Sequence, residues 1–379
     1  MRILYVCDAL AIYGGLERVL IDKANWFVQY GDCEVCLLTV NQGDHPICYA
    51  LHPKVIYVDL NIQFHQQYHF YFLKRFIKNV QLHHLFRKCL KNKIREMTPD
   101  IVVCTRLDYI RDILWVKGAV PLIFESHSCC LASYFEGNGM LRRFHVWHLQ
   151  LAVKKVQMVV ALTKGDADEW KKLNSNVCVI PNVVHLNTGD CSDCSTKSVI
   201  YVGRFSKQKD MKSLLHIWNQ VYQRYPDWHL QIFGGYGDKQ NEILSEVKRM
   251  DANIQVHHTT SDIMEKYKEN SILLLTSQYE PFGLVLPEAM SCGLPVVAFD
   301  CPYGPTDIIT DGVDGFLVRN RNIKDFVKRI CLLIENPKMR VQMGQDGYCS
   351  SMRYDIEKIM PLWNSLFASI LKMNKNIIM

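Results

Sequence analysis

Along this chain, short apolar runs alternate with longer stretches in which apolar positions return every three or four residues. The runs Ile3–Cys7, Glu34–Val40, Ile101–Cys104, Leu122–Glu125 and Met158–Leu162 read as buried strands, with a helix over Leu16–Tyr30 after the first. A second series begins beyond the polar stretch Asn187–Ser198. It comprises Val199–Val202, a helix near Lys212–Tyr225, His229–Phe233, Ile254–His257, Ile272–Leu275 and Val296–Phe299. Strands this apolar are covered on both faces, as in parallel sheets joined by crossover helices. The pattern predicts an α/β protein of two doubly wound domains, hinged near residues 187–198. The last stretch, Asp355–Lys372, reads as an amphipathic helix with Trp363 and Phe367 on its apolar side.

Composition agrees with that architecture: 379 residues at 49% hydrophobic content suffice for two cores. No apolar run approaches the ~20 residues that a membrane span requires, and Met1–Asp8 reads as a strand rather than a signal peptide. A cytoplasmic protein is expected. Fifteen cysteines without a regular framework read as reduced thiols packed in cores. The pair Cys191-x-x-Cys194 has metal or redox spacing, but it lacks a second pair and also suits a plain linker.

Candidate chemistry concentrates in Ser277–Val297, which reads SQYEPFGLVLPEAMSCGLPVV. Pro281 and Pro287 forbid one helix running through both carboxylates, so Glu280 belongs to a loop and Glu288 to the first turns of a helix. Between them Phe282, Gly283 and Leu284 offer backbone N–H groups at a helix N-terminus, which favours a phosphate. The two carboxylates could then accept hydrogen bonds from sugar hydroxyls on either side. Gly293 ends that helix as its C′ residue. Taken alone, two glutamates at this spacing equally suit a helix cap and a solvated side chain.

Upstream, Val199–Val202 runs into Gly203-Arg204-Phe205-Ser206-Lys207-Gln208-Lys209, at the strand end where open α/β sheets bind ligands. As isolated residues, Arg204 and Lys209 also fit ordinary surface charges. Gly14 and Gly15 after the first strand, and Gly234-Gly235-Tyr236-Gly237 after His229–Phe233, let backbone approach a ligand closely. Such glycines are equally common turn chemistry.

Together these stretches resemble the retaining glycosyltransferases of family 4, built on the GT-B fold, and the resemblance spans nearly the whole chain. It implies two Rossmann-like doubly wound parallel-sheet domains facing a central cleft. Residues 1–190 would bind the acceptor, 191–355 the nucleotide sugar, and 356–379 would form a helix crossing back to the first domain. By the same resemblance Arg204 and Lys209 grip the diphosphate, Glu280 positions the donor sugar and Glu288 holds the ribose hydroxyls. Gly14, Gly15, Gly203, Gly235, Phe282, Gly283 and Leu284 complete the donor site. His127, in Phe124-Glu125-Ser126-His127-Ser128, matches a family histidine near the reacting sugar, and Glu125 beside it is expected to face the acceptor.

The implied reaction moves a hexose or N-acetylhexosamine from a nucleotide-diphosphate sugar to a growing surface glycan or lipid-linked saccharide, as in capsule or lipopolysaccharide synthesis. The stretch Cys301-Pro302-Tyr303-Gly304-Pro305 with Asp307 and Ile308 is similar to bacterial surface-polysaccharide transferases, many of which use UDP-hexoses, so UDP is the expected nucleotide. Base contacts are expected from His257–Thr260, where a glycine usual in the family is absent. Retention requires either a carboxylate nucleophile or a front-face path in which the leaving phosphate deprotonates the acceptor.

No cofactor and no metal are expected, because fixed cations stabilise the charge that develops on a departing diphosphate. Asp166-Ala167-Asp168 has the D-x-D pattern of metal-dependent transferases, but it falls in the first turn of a helix over Thr163–Leu173, where acids complement the dipole. A nucleotide-sugar epimerase or hydrolase, or a non-catalytic assembly subunit, would suit the same fold. The presence of Arg204, Lys209, Glu280 and Glu288 together favours transfer.

Charge is uneven: residues 1–190 hold 22 basic and 17 acidic side chains, the remainder 22 and 21. From His65 to Arg95 there are eight Lys or Arg residues and no acid, interleaved with Tyr68, Phe70, Tyr71, Phe72, Phe76 and Phe86. Such a segment suits an anionic membrane surface. A solvated basic face packed on the core by its aromatics, or an RNA-binding patch, has the same composition. Lipid-linked acceptors would place the protein peripherally on the cytoplasmic membrane face, and no nucleic-acid partner is expected.

Overall fold

The computed structural model describes residues 1–130, 140–235 and 237–378, the side chains of 72, 140–145, 320 and 375–378 excepted. Phe72's side chain and Tyr236 therefore lie outside the described residues. The chain divides into two compact units.

Unit 1 comprises Met1–Leu162, Asp166–Val183 and Glu357–Met379. Its parallel strands are β1 (Arg2–Cys7), β2 (Glu34–Thr39), β3 (Ile56–Asp59), β4 (Ile101–Cys104), β5 (Leu122–Ser126), β6 (Met158–Ala161) and β7 (Val177–Val179). They lie in the order β3-β2-β1-β4-β5-β6-β7, with Ile3 opposite Val35 on one side and Ile101 on the other. The outer strands β3 and β7 went unanticipated because an edge strand is buried on fewer sides and carries a weaker apolar run. The first helix, Gly15–Gln29, turns Val19, Leu20, Ala24 and Phe27 inward at helical spacing. The C-terminal helix Ile356–Ile378 packs here too, with Phe367 5.5 Å from Phe27.

Unit 2 comprises Thr163–Gly165 and Val184–Ile356. Its strands are β8 (Ser198–Gly203), β9 (His229–Gly234), β10 (Ile254–His257), β11 (Ile272–Leu275), β12 (Val296–Phe299) and β13 (Gly315–Val318). All are parallel, in the order β10-β9-β8-β11-β12-β13. The helix Met211–Tyr222 buries Leu214, Leu215, Trp218 and Val221 against this sheet, and the Trp218 indole donates to the Ala252 carbonyl at 2.6 Å.

Apart from the three residues Thr163–Gly165, the chain passes between units after Val183 and after Ile356, whereas hydropathy places the first of these two passages near 187–198. The difference has a local cause. Asn187 is buried, its backbone N–H donating to Ser291 Oγ at 3.0 Å, and Ser192 N donates to the Cys292 carbonyl at 2.8 Å. Polar residues that looked like a linker are fastened to unit 2 by their hydrogen bonds. In each unit the strand order reverses beside the first strand, between β1 and β4 and between β8 and β11. That reversal opens a crevice at the carboxyl ends of the strands, the usual ligand position in doubly wound sheets.

Candidate active site

In unit 2 the crevice lies where β8 and β11 end, and most of the motif residues gather around it. Glu280 follows β11 on a loop stitched to the segment after β12. Its N–H donates to the Pro302 carbonyl at 2.6 Å, and its carbonyl accepts from Tyr303 N at 2.8 Å and Gly304 N at 2.9 Å. A methyl group on Gly304 would lie 1.7 Å from the Phe282 carbonyl oxygen, so this close pairing of loops requires glycine there. Gly283 sits at φ +92°, a conformation that glycine adopts freely, and the helix Val285–Ser291 starts two residues later.

The Glu280 carboxylate is buried and bonded to Lys209, and its Oε1 also accepts from Ser277 Oγ at 2.6 Å. Burial removes water from the pair, so each charge depends on the other for compensation. The Lys209 loop is fixed from the same side, because Gln208 donates to the Tyr279 carbonyl at 3.0 Å and its own carbonyl accepts from Gln278 N at 2.7 Å. Arg321 ties the two loops together. It bonds to Asp210 and donates to the Ser277 carbonyl at 2.8 Å, its guanidinium 4.4 Å from the centre of the Phe299 ring.

Ser277, Gln208 and Arg321 were not singled out from sequence. Ser277 stands three residues before Glu280, a spacing that could have flagged it, whereas nothing local marks Arg321. Arg204, just past β8, is exposed. Glu288 lies in the helix Val285–Ser291 and accepts from the Tyr267 hydroxyl at 3.2 Å. Burial, reinforced by Glu288, pushes the Tyr267 phenol well above its ordinary range, so it remains a donor. Phe282 is buried edge-on against Tyr354, and Leu284 is half-buried as the residue preceding the helix. Gly203 ends β8, and Gly235 follows β9 at φ +140°. His257, at the end of β10, stacks on Phe233 at 4.5 Å.

In unit 1, Gly14 is the residue before the first helix and Gly15 its first member, both beyond the carboxyl end of β1. His127 follows β5 with its side chain largely buried, Nε2 lying 3.0 Å from Glu125 Oε1. The structure corrects the expectation that Glu125 faces an acceptor. Its side chain is 1% exposed and bonded to Lys23 Nζ at 2.6 Å. Burial opposes its ionisation, but Lys23 and His127 outweigh burial and hold the carboxyl at about 2.

The D-x-D segment is otherwise engaged. Asp166 accepts from Cys130 N at 2.7 Å and from the Trp170 indole at 2.9 Å, while Asp168 pairs with Lys171 at 2.9 Å. Burial, offset in part by those hydrogen bonds, pushes the Asp166 carboxyl up to about 6. The two acids thus serve different ends: Asp166 fastens the helix Lys164–Lys171 to its surroundings and Asp168 sits at the surface.

Comparison with known proteins places this geometry in context. Residues 193–349 match the family described as Glycosyl transferases group 1. A Haemophilus influenzae protein described as an uncharacterized glycosyltransferase is 27% identical over 363 residues, 93% of this chain and 96% of that protein. The amylovoran biosynthesis glycosyltransferase AmsD of Erwinia amylovora is 31% identical over 240 residues, 60% of this chain and 66% of AmsD. In three dimensions the chain is similar to S. aureus TarM, solved with Fondaparinux, alpha-GlcNAc-glycerol and UDP. The TM-score is 0.79 at 16% identity, over 97% of this chain and 99% of that one. A likeness at that identity is one of fold, and the fold is GT-B.

Proposed function

We propose that this chain, whose residues 193–349 belong to glycosyl transferases group 1, transfers a hexose or N-acetylhexosamine from a UDP-sugar to a growing surface glycan or lipid-linked saccharide. The observation that carries this reading is the buried Lys209–Glu280–Ser277 cluster at the β8/β11 strand reversal. An ammonium has three N–H donors, and with one directed at Glu280 the others are available to a diphosphate. Arg204 adds a second cation at the same strand end.

In the reaction the bond between the anomeric carbon and the diphosphate oxygen breaks, and its electron pair leaves with the phosphate. The acceptor hydroxyl oxygen bonds to the same face of that carbon, and its proton passes to the departing phosphate oxygen, which gives retention. Lys209 and Arg204 stabilise the charge that develops on the leaving group. Glu280, already paired with a cation, is a poor nucleophile, which supports the front-face path and a positioning role for that carboxylate. Glu288, held by Tyr267, takes the ribose hydroxyls. The cations do the work that a metal would otherwise do, and the engagement of Asp166 supports a metal-independent enzyme. UDP in the TarM complex supports the choice of nucleotide.

The acceptor reading draws on the helix Phe72–Met97, whose apolar positions divide into two groups. Leu82, Phe86, Leu90 and Ile94 recur every four residues and are buried in the core of unit 1. Leu73, Phe76, Ile77 and Val80 recur at helical spacing and are exposed, beside Tyr71 and among Lys74, Arg75 and Lys78. Among the described residues no helix is long and apolar enough to cross a membrane. An exposed apolar stripe flanked by cations fits a peripheral site on anionic lipid at the cytoplasmic face, where a lipid-linked acceptor resides.

The test is thermal stabilisation of the purified protein by UDP, GDP, ADP and a panel of UDP-sugars with EDTA throughout. A shift with UDP and with at least one UDP-sugar, but not with GDP or ADP, is expected. Failure of every nucleotide to shift the transition would displace transfer in favour of a non-catalytic binding subunit.

A further inference from the structure

The buried charges around His127 have no place in the reading above. Lys23, on the first helix, and Glu125, near the end of β5, are each 1% exposed and 2.6 Å apart, although 102 positions separate them in sequence. Charges buried this completely are rarely kept for stability alone, since a well-packed apolar pair serves at least as well. Lys23 Nζ also sits 3.5 Å from the centre of the Trp363 ring of the C-terminal helix. That aromatic face and the carboxylate together hold the ammonium in one position.

The carboxylate has an asymmetric set of neighbours. Oε1 receives Lys23 and lies 3.0 Å from His127 Nε2, while Oε2 is buried and has no hydrogen-bond partner among the described residues. The His127 contact is close yet not a well-aligned hydrogen bond. Poor alignment of this kind is common in unliganded sites and tightens once substrate is bound. A carboxylate oxygen can only accept, so of the two neutral imidazole forms it selects the one that carries its proton on Nε2. Nδ1 is then left as the acceptor.

We propose that Lys23 and Glu125 form a positioning couple that holds His127 in the Nε2–H tautomer, leaving Nδ1 to accept a hydrogen bond from a substrate hydroxyl. Glu125 touches no substrate in this arrangement and acts through His127, as an orienting carboxylate does behind a functional histidine. Lys23 keeps that carboxylate ionised, and Trp363 keeps Lys23 in place. The couple rests on the transferase reading for its purpose, but its geometry can be tested without turnover.

The first measurement is the tautomer of His127 in the intact protein, by ring-nitrogen NMR of the 15N-histidine-labelled chain, with the signal assigned by its loss in His127→Gln. The neutral Nε2–H form is expected in the wild type at neutral pH, and either an Nδ1–H form or a doubly protonated ring overturns the proposal outright. The double variant Lys23→Met with Glu125→Leu replaces the couple by apolar side chains of similar volume and removes the acceptor. It should fold, keep the wild-type thermal shift with UDP and lose the single tautomer. With the UDP-sugar that the wild type accepts, its kcat should fall by about 10- to 100-fold at little change in KM for that donor.

In a His127→Ala background the same double substitution should cost nothing further. An equal loss in both backgrounds means that the couple acts independently of His127, and an unchanged tautomer in the double variant means that it does not hold the ring; either result overturns the proposal. If the wild type transfers sugar and His127→Ala matches it, the histidine's role fails while the transferase reading stands. If the wild type transfers nothing, that reading fails, and the tautomer measurement still decides the couple.

Discussion

Each unit holds a buried lysine–glutamate pair near the carboxyl ends of its strands, and the two differ in how far they are sealed. Lys23 and Glu125 are both 1% exposed and walled by Trp363, so their charges satisfy one another. Lys209 and Glu280 are 13% and 5% exposed and bounded by a hydroxyl, Ser277, rather than by an aromatic ring. The same two side chains thus serve two purposes. A sealed pair fixes a neighbour, whereas a pair with an open side keeps N–H donors for a ligand.

Breaking each pair singly should separate the two purposes. Lys23→Met strands a fully buried carboxylate and should cost about 3–5 kcal/mol, measured by urea unfolding. Lys209→Met should cost less than half of that, because Ser277 still donates to Glu280 and the pair is less completely buried. The reverse ranking would break the comparison. On turnover the order inverts: Lys209→Met should lower kcat by about 100- to 1000-fold, the size of losing a charge-stabilising group. Alongside it, Glu280→Ala should chiefly reduce turnover and Glu288→Ala should weaken nucleotide binding. Equal effects of the two on both quantities would undo their division of roles.

The pH dependence of unit 1 sets a carboxylate held down by a buried cation against one pushed up by burial. Glu125 is held down to about 2, so its contribution, roughly 3 kcal/mol, is present above about pH 4.5 and lost as the pH falls through 2. Asp166 is buried, and burial pushes it up to about 6, so its contribution is present below about pH 4 and lost as the pH rises through 6. Relative to Asp166→Asn, the wild type should lose about 2–3 kcal/mol of unfolding free energy between pH 4 and pH 7. A difference that stays flat across that range would show that Asp166 ionises freely.

The smallest effect on stability belongs to the exposed stripe of the helix Phe72–Met97. Phe76→Glu should change unfolding free energy by less than about 0.5 kcal/mol. It should nevertheless abolish flotation of the protein with vesicles containing anionic phosphatidylglycerol, while vesicles of phosphatidylcholine alone bind neither form. Retained binding by Phe76→Glu would reduce the stripe to an ordinary surface.

Much of the fold was legible because its signals are local. Ile254–His257, Ile272–Leu275 and Val296–Phe299 are strands at the positions their apolar runs indicate. The helix bearing Glu288 stops before Gly293, whose φ of +78° is the conformation that favours glycine there. The edge strands were illegible because little of their surface is buried. The 187–198 segment misled because polar residues fastened by hydrogen bonds have the composition of a linker. Along Phe72–Met97 the apolar positions show one helix, but not that its first turns are exposed and its later ones buried.

The sequence by itself determined the parallel sheets, the conformations at the turns and the inventory of charged groups at the end of β8 and around Glu280. Those follow from patterns a few residues long, in side-chain period, proline and glycine. Tertiary structure alone decided which charges neutralise one another, since Lys209 meets Glu280 across 71 positions and Lys23 meets Glu125 across 102. It also decided that Arg321 ties the Lys209 and Glu280 loops together and that Glu125 stands behind His127. Coulomb attraction and desolvation depend on distance and burial, and neither is set until the sheets have brought distant residues together.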